Sequence, residues 1–232
     1  HNITIKDCII TDFAQDIYAE SGAYRLTILN NTLANSIGDN NGYALYYGLY
    51  NNEVRLRNNI FENANYNGIY MLEGNHSNIT DNIFTNITDA VFVQEASIPS
   101  IGPYIAYNRF IAPADRASKQ IRIVDSVLST TILANNFTDL NKTGDTYAVY
   151  VYTEGPEYTP NNTQIINNTI VEFKYGIYAS NGGGSPNVIG FVVRGNNISA
   201  ITNDLYYNIS FNTPTITKNW FYGPATSKFS DG

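Results

Sequence analysis

Two groups of acidic residues are the main candidates for chemistry in this sequence. They are Asp12, Asp16 and Glu20 near the start, and Asp145, Glu154 and Glu157 around a long polar stretch. Hard cations take carboxylate oxygens as ligands, and paired carboxylates about 5 to 9 Å apart could hydrolyse a glycosidic bond. The second group is therefore the candidate for a Ca²⁺ site, and no other cofactor is expected. Solvated surface charge is the simpler interpretation of both groups.

Other catalytic side chains are scarce. The only histidines are His1 and His76, so a histidine-based triad would have to use a terminal residue or one inside the sequon "NHS". The only cysteine, Cys8, lies in the apolar run "CII" and is predicted to be a buried apolar side chain. His/Cys metal-ligand spacing is absent. We therefore predict no catalytic residue.

Aromatic residues recur in short alternating segments such as "ALYY" (44–47), "GIYM" (68–71) and "GIYA" (176–179). Side chains alternate between the two faces of a strand, so one residue of each segment should point outward. These residues form a predicted aromatic file, which Arg122 interrupts: Tyr18, Tyr46, Tyr70, Phe92, Tyr150, Tyr178 and Tyr206. The residues two places earlier should share that face and leave a shallow strip: Ala44, Gly68, Ala90, Ala148 and Gly176.

Three interpretations of this file remain open. Stacked rings could simply shield a sheet, at about 0.5 to 1.5 kcal/mol per pair. They could form a docking face for another chain, because tyrosine is enriched at interfaces. They could also be a platform for sugar rings.

An Asn-x-apolar anchor recurs along the chain at intervals of 23 to 33 residues. Its asparagines are Asn31, Asn59, Asn82, Asn108, Asn135, Asn168, Asn196 and Asn219, and Asp7-x-Ile9 is a degenerate first copy. Each unit has three short segments with a period of two, and no helical pattern competes with them. Such units bury an apolar face only by stacking into a solenoid. Asparagine tolerates the left-handed conformation at a sharp bend, and stacked amides form a ladder.

These repeats resemble the right-handed parallel β-helix of NosD-like and pectate-lyase-like proteins over nearly the whole chain, and they are similar to archaeal cell-surface β-helix proteins. The resemblance implies an all-β fold of about nine coils with three short strands each and an asparagine ladder at one bend. Residues 1–232 would form one domain, a segment of a longer or polymerising chain. An antiparallel sandwich or barrel would need regular tight hairpins, which the sequence lacks.

The resemblance brings no enzyme motif with it. The Asn-Thr-Asp, Asp-Asp, Gly-His-Gly and Arg-Ile-Lys blocks of polygalacturonases are absent, and "QIRIV" (120–124) is only a fragment of the last. The arginine context of pectate lyases and the Asp-Pro-His-Glu block of alginate epimerases are missing too. The repeat is therefore strong evidence for the fold and weak evidence for function.

Composition limits the partners. Charged residues make up 14% of the chain and the net charge is −7, which argues against nucleic acid and anionic membrane surfaces because both require clustered Lys and Arg. No stretch approaches the roughly 20 apolar residues of a membrane span. We therefore expect no membrane insertion.

Eleven Asn-x-Ser/Thr sequons, few lysines and a lone cysteine suggest an extracellular or cell-surface glycoprotein. Asn30 and Asn167 lie where the ladder should be. The remaining sequons are the glycosylation candidates: Asn2, Asn75, Asn78, Asn86, Asn136, Asn141, Asn161, Asn197 and Asn208.

The leading prediction is a non-enzymatic structural or adhesin-like module, and a subunit of a surface assembly is one form of it. The alternatives are a polysaccharide lyase or glycoside hydrolase with an atypical carboxylate site, and a carbohydrate-binding module that uses the aromatic file. The expected partners are other copies of the chain, a longer parent chain or surface glycans. Bare-looking solenoid ends are the reason for expecting self-association.

Overall fold

A computed structural model describes residues 2–20, 25–36, 42–48, 53–95, 99–140, 144–154, 159–181, 188–208, 211–212, 214–223 and 227–231. Within these ranges the chain forms short β-strands and no helix. Three nine-stranded parallel sheets contain most of them, and each coil of the chain adds one strand to each sheet in turn. The predicted parallel β-helix of nine coils is confirmed.

The strands of the first sheet are β1 (Asn2–Lys6), β4 (Arg25–Leu29), β7 (Val54–Arg57), β10 (Asn78–Thr80), β14 (Tyr104–Ala106), β18 (Thr131–Leu133), β21 (Gln164–Ile166), β25 (Val192–Arg194) and β29 (Thr215–Thr217). Those of the second sheet are β2 (Ile9–Thr11), β5 (Thr32–Ala34), β8 (Ile60–Glu62), β11 (Ile83–Thr85), β15 (Arg109–Ile111), β19 (Asn136–Thr138), β22 (Thr169–Val171), β26 (Asn197–Ser199) and β30 (Trp220–Phe221). The third sheet contains β3 (Gln15–Ala19), β6 (Tyr43–Tyr47), β9 (Asn67–Leu72), β12 (Asp89–Gln94), β16 (Ser118–Val124), β20 (Thr146–Thr153), β23 (Tyr175–Asn181), β27 (Asn203–Asn208) and β31 (Ser227–Asp231). Two small sheets in the loops pair β13 (Ser100–Ile101) with β17 (Val127–Leu128) and β24 (Val188–Ile189) with β28 (Phe211–Asn212). We number the coils one to nine in the order of these sheets.

Apolar residues at the centres of the strands fill the interior. In the second sheet Phe61, Phe84, Phe110 and Phe137 pair in register, with consecutive ring centroids 4.9, 4.9 and 4.7 Å apart and nearly parallel planes. All four rings are fully buried, and each contributes about 1.5 to 3 kcal/mol of burial free energy. Like residues therefore lie over like inside the rod.

The asparagine ladder runs through the bend between the first and second sheets. In coil five, Oδ1 of Asn108 accepts hydrogen bonds from the backbone N–H and from Nδ2 of Asn82, at 2.9 and 3.0 Å. Nδ2 of Asn108 donates to the carbonyl of Ile79 at 2.9 Å. The same amide-to-amide bond joins every consecutive pair from Asn31 to Asn219.

The doubled asparagine has two separate roles. The residue before each ladder asparagine has a positive φ, as in Asn30 (55°), Asn58 (54°) and Asn167 (54°). Asparagine tolerates this left-handed conformation better than most residues do. The first residue of the doublet therefore makes the bend and the second makes the ladder.

The first copy of the anchor lies one residue later than predicted. Cys8, and not Asp7, takes the ladder position, because its backbone N–H donates to Oδ1 of Asn31 at 2.9 Å. Ile10 accordingly pairs with Leu33. The prediction that Cys8 is buried was also wrong: its side chain is exposed, because a ladder residue is buried by a coil on either side and the described structure supplies Cys8 with only one.

A second, exposed asparagine column lies at the bend between the second and third sheets of the first four coils. Nδ2 of Asn35 donates to Asp12, Nδ2 of Asn63 to Asn35, and Nδ2 of Asn86 to Asn63, at 3.2, 3.1 and 2.9 Å. All four residues have a positive φ. The sequence analysis did not predict this column.

Candidate docking face

The outer surface of the third sheet is the candidate functional site, and we call it the tyrosine face. One file of side chains crosses eight consecutive coils in register: Tyr18, Tyr46, Tyr70, Phe92, Arg122, Tyr150, Tyr178 and Tyr206. The structure therefore brings together every residue of the predicted aromatic file. Tyr18 is 52% exposed and the other tyrosines of the file are partly exposed, whereas Phe92 at the middle of the file is 7% exposed.

The rings of this file stack on one another along the rod. Tyr18 lies on Tyr46 with ring centroids 4.7 Å apart and planes 11° apart. Tyr178 stacks on Tyr150 at 5.5 Å and 2°, and Tyr206 stacks on Tyr178 at 4.5 Å and 14°. Tyr178 is thus covered on both ring faces, whereas Tyr46 and Tyr70, and Tyr70 and Phe92, are tilted by 55° and 43°.

A second file of tyrosines shares the face, and the sequence analysis missed it. Tyr147 lies three residues before Tyr150, and their ring centroids are 5.1 Å apart; Tyr175 and Tyr178 repeat this at 5.3 Å. Residues three apart reach one face because the strand pairing skips the residue after Tyr147 and after Tyr175. The available signal was the thrice-repeated pattern Tyr-small-apolar-Tyr, in "YALY", "YAVY" and "YGIY".

The skipped residue in each strand also shows that the predicted shallow strip of small residues is wrong. Ala44, Ala90 and Ala148 are fully buried and belong to the core. A Cβ on Gly176 would lie 2.7 Å from Cγ2 of Ile198 and 2.5 Å from the carbonyl oxygen of Asp204, and one on Gly68 would lie 2.7 Å from the carbonyl oxygen of Ala90. These small residues face inward, so nothing separates the two tyrosine files.

A charged seam divides the tyrosine face into two aromatic clusters. Nη1 of Arg122 lies 3.3 Å from Oδ2 of Asp89, and its guanidinium lies 4.2 Å from the ring centroid of Phe92. Nζ of Lys119 lies 5.4 Å from the ring centroid of Tyr150. Arg122 therefore interrupts the aromatic residues, as predicted from the sequence, but its guanidinium stacks on Phe92 within the same file. Burial raises the pKa of Asp89, against the lowering effect of the two cations.

The first cluster contains Tyr18, Tyr43, Tyr46, Tyr66 and Tyr70, and the second contains Tyr147, Tyr150, Tyr152, Tyr175, Tyr178 and Tyr206. Burial raises the pKa of Tyr70 and that of Tyr150 to about 12. These hydroxyl groups therefore stay protonated at neutral pH and can donate hydrogen bonds. The hydroxyl of Tyr70 donates to Oε1 of Gln94 at 3.2 Å.

The later acidic group does not come together. Asp145 and Glu154 lie directly before and after β20, so eight strand residues hold them about 30 Å apart. Asp145 pairs with Lys174, and Glu157 lies outside the described residues. Among the residues that the structure describes, no group of three or more His, Cys, Asp or Glu side chains could hold a metal ion.

The earlier acidic group is spread over one strand. Asp12 precedes β3 and Glu20 follows it, while the side chain of Asp16 within β3 accepts a hydrogen bond from Ser36 at 2.8 Å. The other oxygen of Asp16 is buried and has no hydrogen-bond partner in the described part of the chain. Burial raises the pKa of Asp16 to about 6, and the nearby charge of Asp12 adds to this effect.

The nine glycosylation candidates lie on strands, in loops or in the exposed column, apart from Asn141, and the other two sequon asparagines, Asn30 and Asn167, make the bend before the ladder. Those exposed on strands are Asn2, Asn78, Asn136, Asn197 and Asn208. Asn75 and Asn161 lie in loops, where their side-chain oxygens accept the backbone N–H of Ile101 and Ile189. Asn86 belongs to the exposed column, and Asn141 lies outside the described residues. On a strand, Asn and Ser/Thr two places apart share the outer face, so strand alternation alone generates several of these sequons.

Comparison with known proteins is consistent with this architecture. A family model described as a right handed beta helix region matches residues 1–198. Neither a curated protein nor a solved structure matches the chain. The described residues include no helix that is long and apolar enough to cross a membrane.

Proposed function

Because the chain belongs to the right-handed β-helix family, we propose that it is a non-catalytic structural module of an extracellular surface, and that the tyrosine face is its docking face. The observation that carries this proposal is the register of the aromatic file through eight consecutive coils. A straight row of like side chains suits an extended partner that lies along the rod.

The interior makes the face rigid. Along each strand, the residues directly before and after the file residue point inward. Around Tyr150 these are Val149 and Val151, and both are fully buried. The strands beneath are tied to their neighbours on both sides by parallel pairing. A docking face whose residues are held in place loses little conformational entropy when it binds.

The composition of the face suits a protein partner. Tyrosine supplies a large contact area with few rotatable bonds and is enriched at protein interfaces, whereas lysine and glutamate are depleted there. Asp89 and Lys119 occupy the in-register position of Tyr147 in coils four and five, and Arg122 belongs to the first file. These are the only charged side chains at the two positions between coils one and eight of the described chain. The face therefore has the residue content of an interface core.

The ring geometry favours a protein over a sugar. A sugar ring packs on an open aromatic face, but Tyr178 is covered on both faces by stacked neighbours, and Tyr18 and Tyr46 cover one face of each other. Ring edges and hydroxyl groups remain, and these suit side chains and backbone groups of another chain. A carbohydrate-binding module is therefore the weaker alternative.

The spacing of the carboxylates supports a non-catalytic role. A retaining or inverting hydrolase needs two carboxyl groups within about 10 Å, whereas Asp145 and Glu154 lie at opposite ends of β20. Asp145 also forms an ion pair with Lys174. A polysaccharide lyase or hydrolase would have to use other residues.

Two measurements test the proposal. Antibodies against the rod should label intact cells of the producing organism, and label confined to broken cells would refute the extracellular location. Purified protein should bind isolated cell envelopes at least tenfold more tightly than the variant Tyr150→Ser/Tyr178→Ser. The matched control is Tyr107→Ser, which removes an exposed tyrosine at another bend. Equal loss in both variants would exclude the tyrosine face.

A further inference from the structure

We propose that the occupant of the tyrosine face is the tyrosine face of a second copy of this chain, in an antiparallel, two-fold symmetric dimer. This inference rests on the proposed docking function and names the partner. The two-fold axis would lie in the interface, parallel to the strands, between coils four and five. Such an axis reverses the order of the coils and keeps each position along the strand, so the two rods lie side by side in opposite directions.

The charged seam is self-complementary under this operation. Coil four of one copy comes opposite coil five of the other, because the axis passes between them. Asp89 and Phe92 belong to coil four, and Lys119 and Arg122 are their in-register neighbours in coil five. Lys119 of the second copy therefore comes over Asp89, which is 7% exposed and pairs with Arg122 of its own chain, and Arg122 of the second copy comes over Phe92, which is also 7% exposed. Each contact occurs twice in an isologous interface.

The aromatic clusters match as well. Coils three, two and one come opposite coils six, seven and eight of the second copy. Tyr70 then meets Tyr150, Tyr46 meets Tyr178, and Tyr18 meets Tyr206 across the interface. The first cluster of one rod is thus covered by the second cluster of the other. Tyrosine ring edges that are not covered within one rod can then make edge contacts with the rings of the other rod.

The alternative symmetric arrangement is unfavourable. A two-fold axis parallel to the rod would keep each coil opposite its own copy, so Lys119 and Arg122 of coil five would face the same two cations of the second copy. Like charges brought together in an interface oppose association. The order of charges along the file therefore selects the antiparallel arrangement.

The area of the face is sufficient for a stable dimer. Eight coils at about 4.8 Å each and a strand width of about six residues at about 3.3 Å give roughly 750 Å² per copy. A standard protein interface buries about 800 Å² per partner. The tyrosine face therefore has the size of a complete interface.

Charge reversal in the seam is the first test. Sedimentation of the wild-type chain over a range of concentrations should show a monomer–dimer equilibrium. Lys119→Glu should weaken the dimer at least tenfold, because the new carboxylate faces Asp89 of the second copy. Arg109→Glu is the matched control, since it reverses an exposed charge on the second sheet, and it should leave the dimer unchanged. A wild-type chain that is monomeric throughout would overturn the inference.

Cysteine pairing tests the orientation. In a Cys8→Ser background, the double variant Tyr46→Cys/Tyr178→Cys should form a covalent dimer on mild oxidation, whereas either single variant should not. Equivalent cysteines would lie in coils two and seven, about 24 Å apart across the interface, which is beyond the reach of a disulfide. Single variants that cross-link would refute the antiparallel arrangement. Circular dichroism of each variant shows whether the rod remains folded.

The two proposals fail separately. A monomeric rod whose envelope binding still depends on Tyr150 and Tyr178 would overturn self-association and keep the docking function. A tyrosine-dependent dimer inside the cell would support the inference and refute the extracellular role.

Discussion

The asparagine ladder and the tyrosine face are both columns of one residue type stacked in register, and they differ in what they leave unsatisfied. The amide of Asn108 donates to the carbonyl of Ile79 and accepts two hydrogen bonds from Asn82, and its side chain is buried. The tyrosines of the file, by contrast, stay partly or largely exposed.

This difference separates a structural column from a functional one. A column whose hydrogen bonds are all made within the rod has nothing left to offer a partner, however regular it is. The tyrosine face keeps exposed aromatic area after its own stacking is complete, although some of its hydroxyls already bond within the rod, as Tyr70 does to Gln94. Regular repetition in a solenoid sequence therefore indicates structure, and the exposed side-chain area that remains indicates function.

The largest expected effect comes from breaking the buried column. Asn108→Ala should destabilise the rod by about 3 to 5 kcal/mol, because the carbonyl of Ile79 and the backbone N–H of Asn82 each lose a hydrogen bond to the Asn108 side chain in a buried bend. The measurement is urea unfolding of wild type and variant. Removal of Tyr178 from the tyrosine face should cost clearly less stability, and equal costs would erase the distinction between the two columns.

A smaller effect tests which way the small residues of the third sheet point. Gly176→Ala should destabilise by about 2 to 3 kcal/mol, because its Cβ would press on Ile198 and on the carbonyl of Asp204. Thermal unfolding of the variant gives the value. If Gly176 lined an open strip beside the rings, the added methyl group would be tolerated, and an unchanged stability would restore that interpretation.

The sequence predicted the ladder and the aromatic file because both depend on one repeated position per coil. The Asn-x-apolar spacing marks the bend without reference to any other strand, and residues such as Tyr46, Tyr70 and Tyr150 follow an inward apolar residue. In-register stacking then follows from the solenoid itself. The single error in the ladder is in coil one, where the sequence shows Cys8 and not asparagine at the ladder position.

The second tyrosine file and the direction of the small residues could not be predicted from strict alternation. Alternation with a period of two puts Tyr147 and Tyr150 on opposite faces, yet the unpaired Ala148 puts them on the same face. Local bends of this kind depend on contacts with the coil above and below. The distance between Asp145 and Glu154 could not be predicted either, because it depends on the length of β20, which the sequence does not define.

The half-buried carboxyl of Asp16 gives a pH-dependent test of what an incompletely hydrogen-bonded acidic group costs the rod. Its pKa rises from 3.8 to about 6 on folding, so the folded state holds the proton more tightly. The resulting stability is fully present below about pH 4 and is lost as the pH rises through 6. Wild type should lose about 1 to 2 kcal/mol more than Asp16→Asn between pH 4 and 7, allowing for partial solvent screening.

Urea unfolding at both pH values measures this difference. The comparison with Asp16→Asn removes the contributions of Asp12 and the other carboxyl groups, which the two proteins share. Parallel pH profiles would show that Asp16 titrates as an ordinary exposed carboxyl.

The smallest expected effect comes from the exposed asparagine column, which repeats the chemistry of the buried ladder in contact with water. Asn63→Ala removes hydrogen bonds to Asn35 and Asn86, but water can replace them at this exposed bend. A positive φ of 55° at Asn63 adds a modest cost, because alanine tolerates it less well than asparagine. The variant should lose about 1 kcal/mol in urea unfolding, and Asn63→Gly should lose less because glycine adopts this conformation freely. A loss as large as that of Asn108→Ala would mean that stacking itself, and not burial of the hydrogen bonds, stabilises an asparagine column.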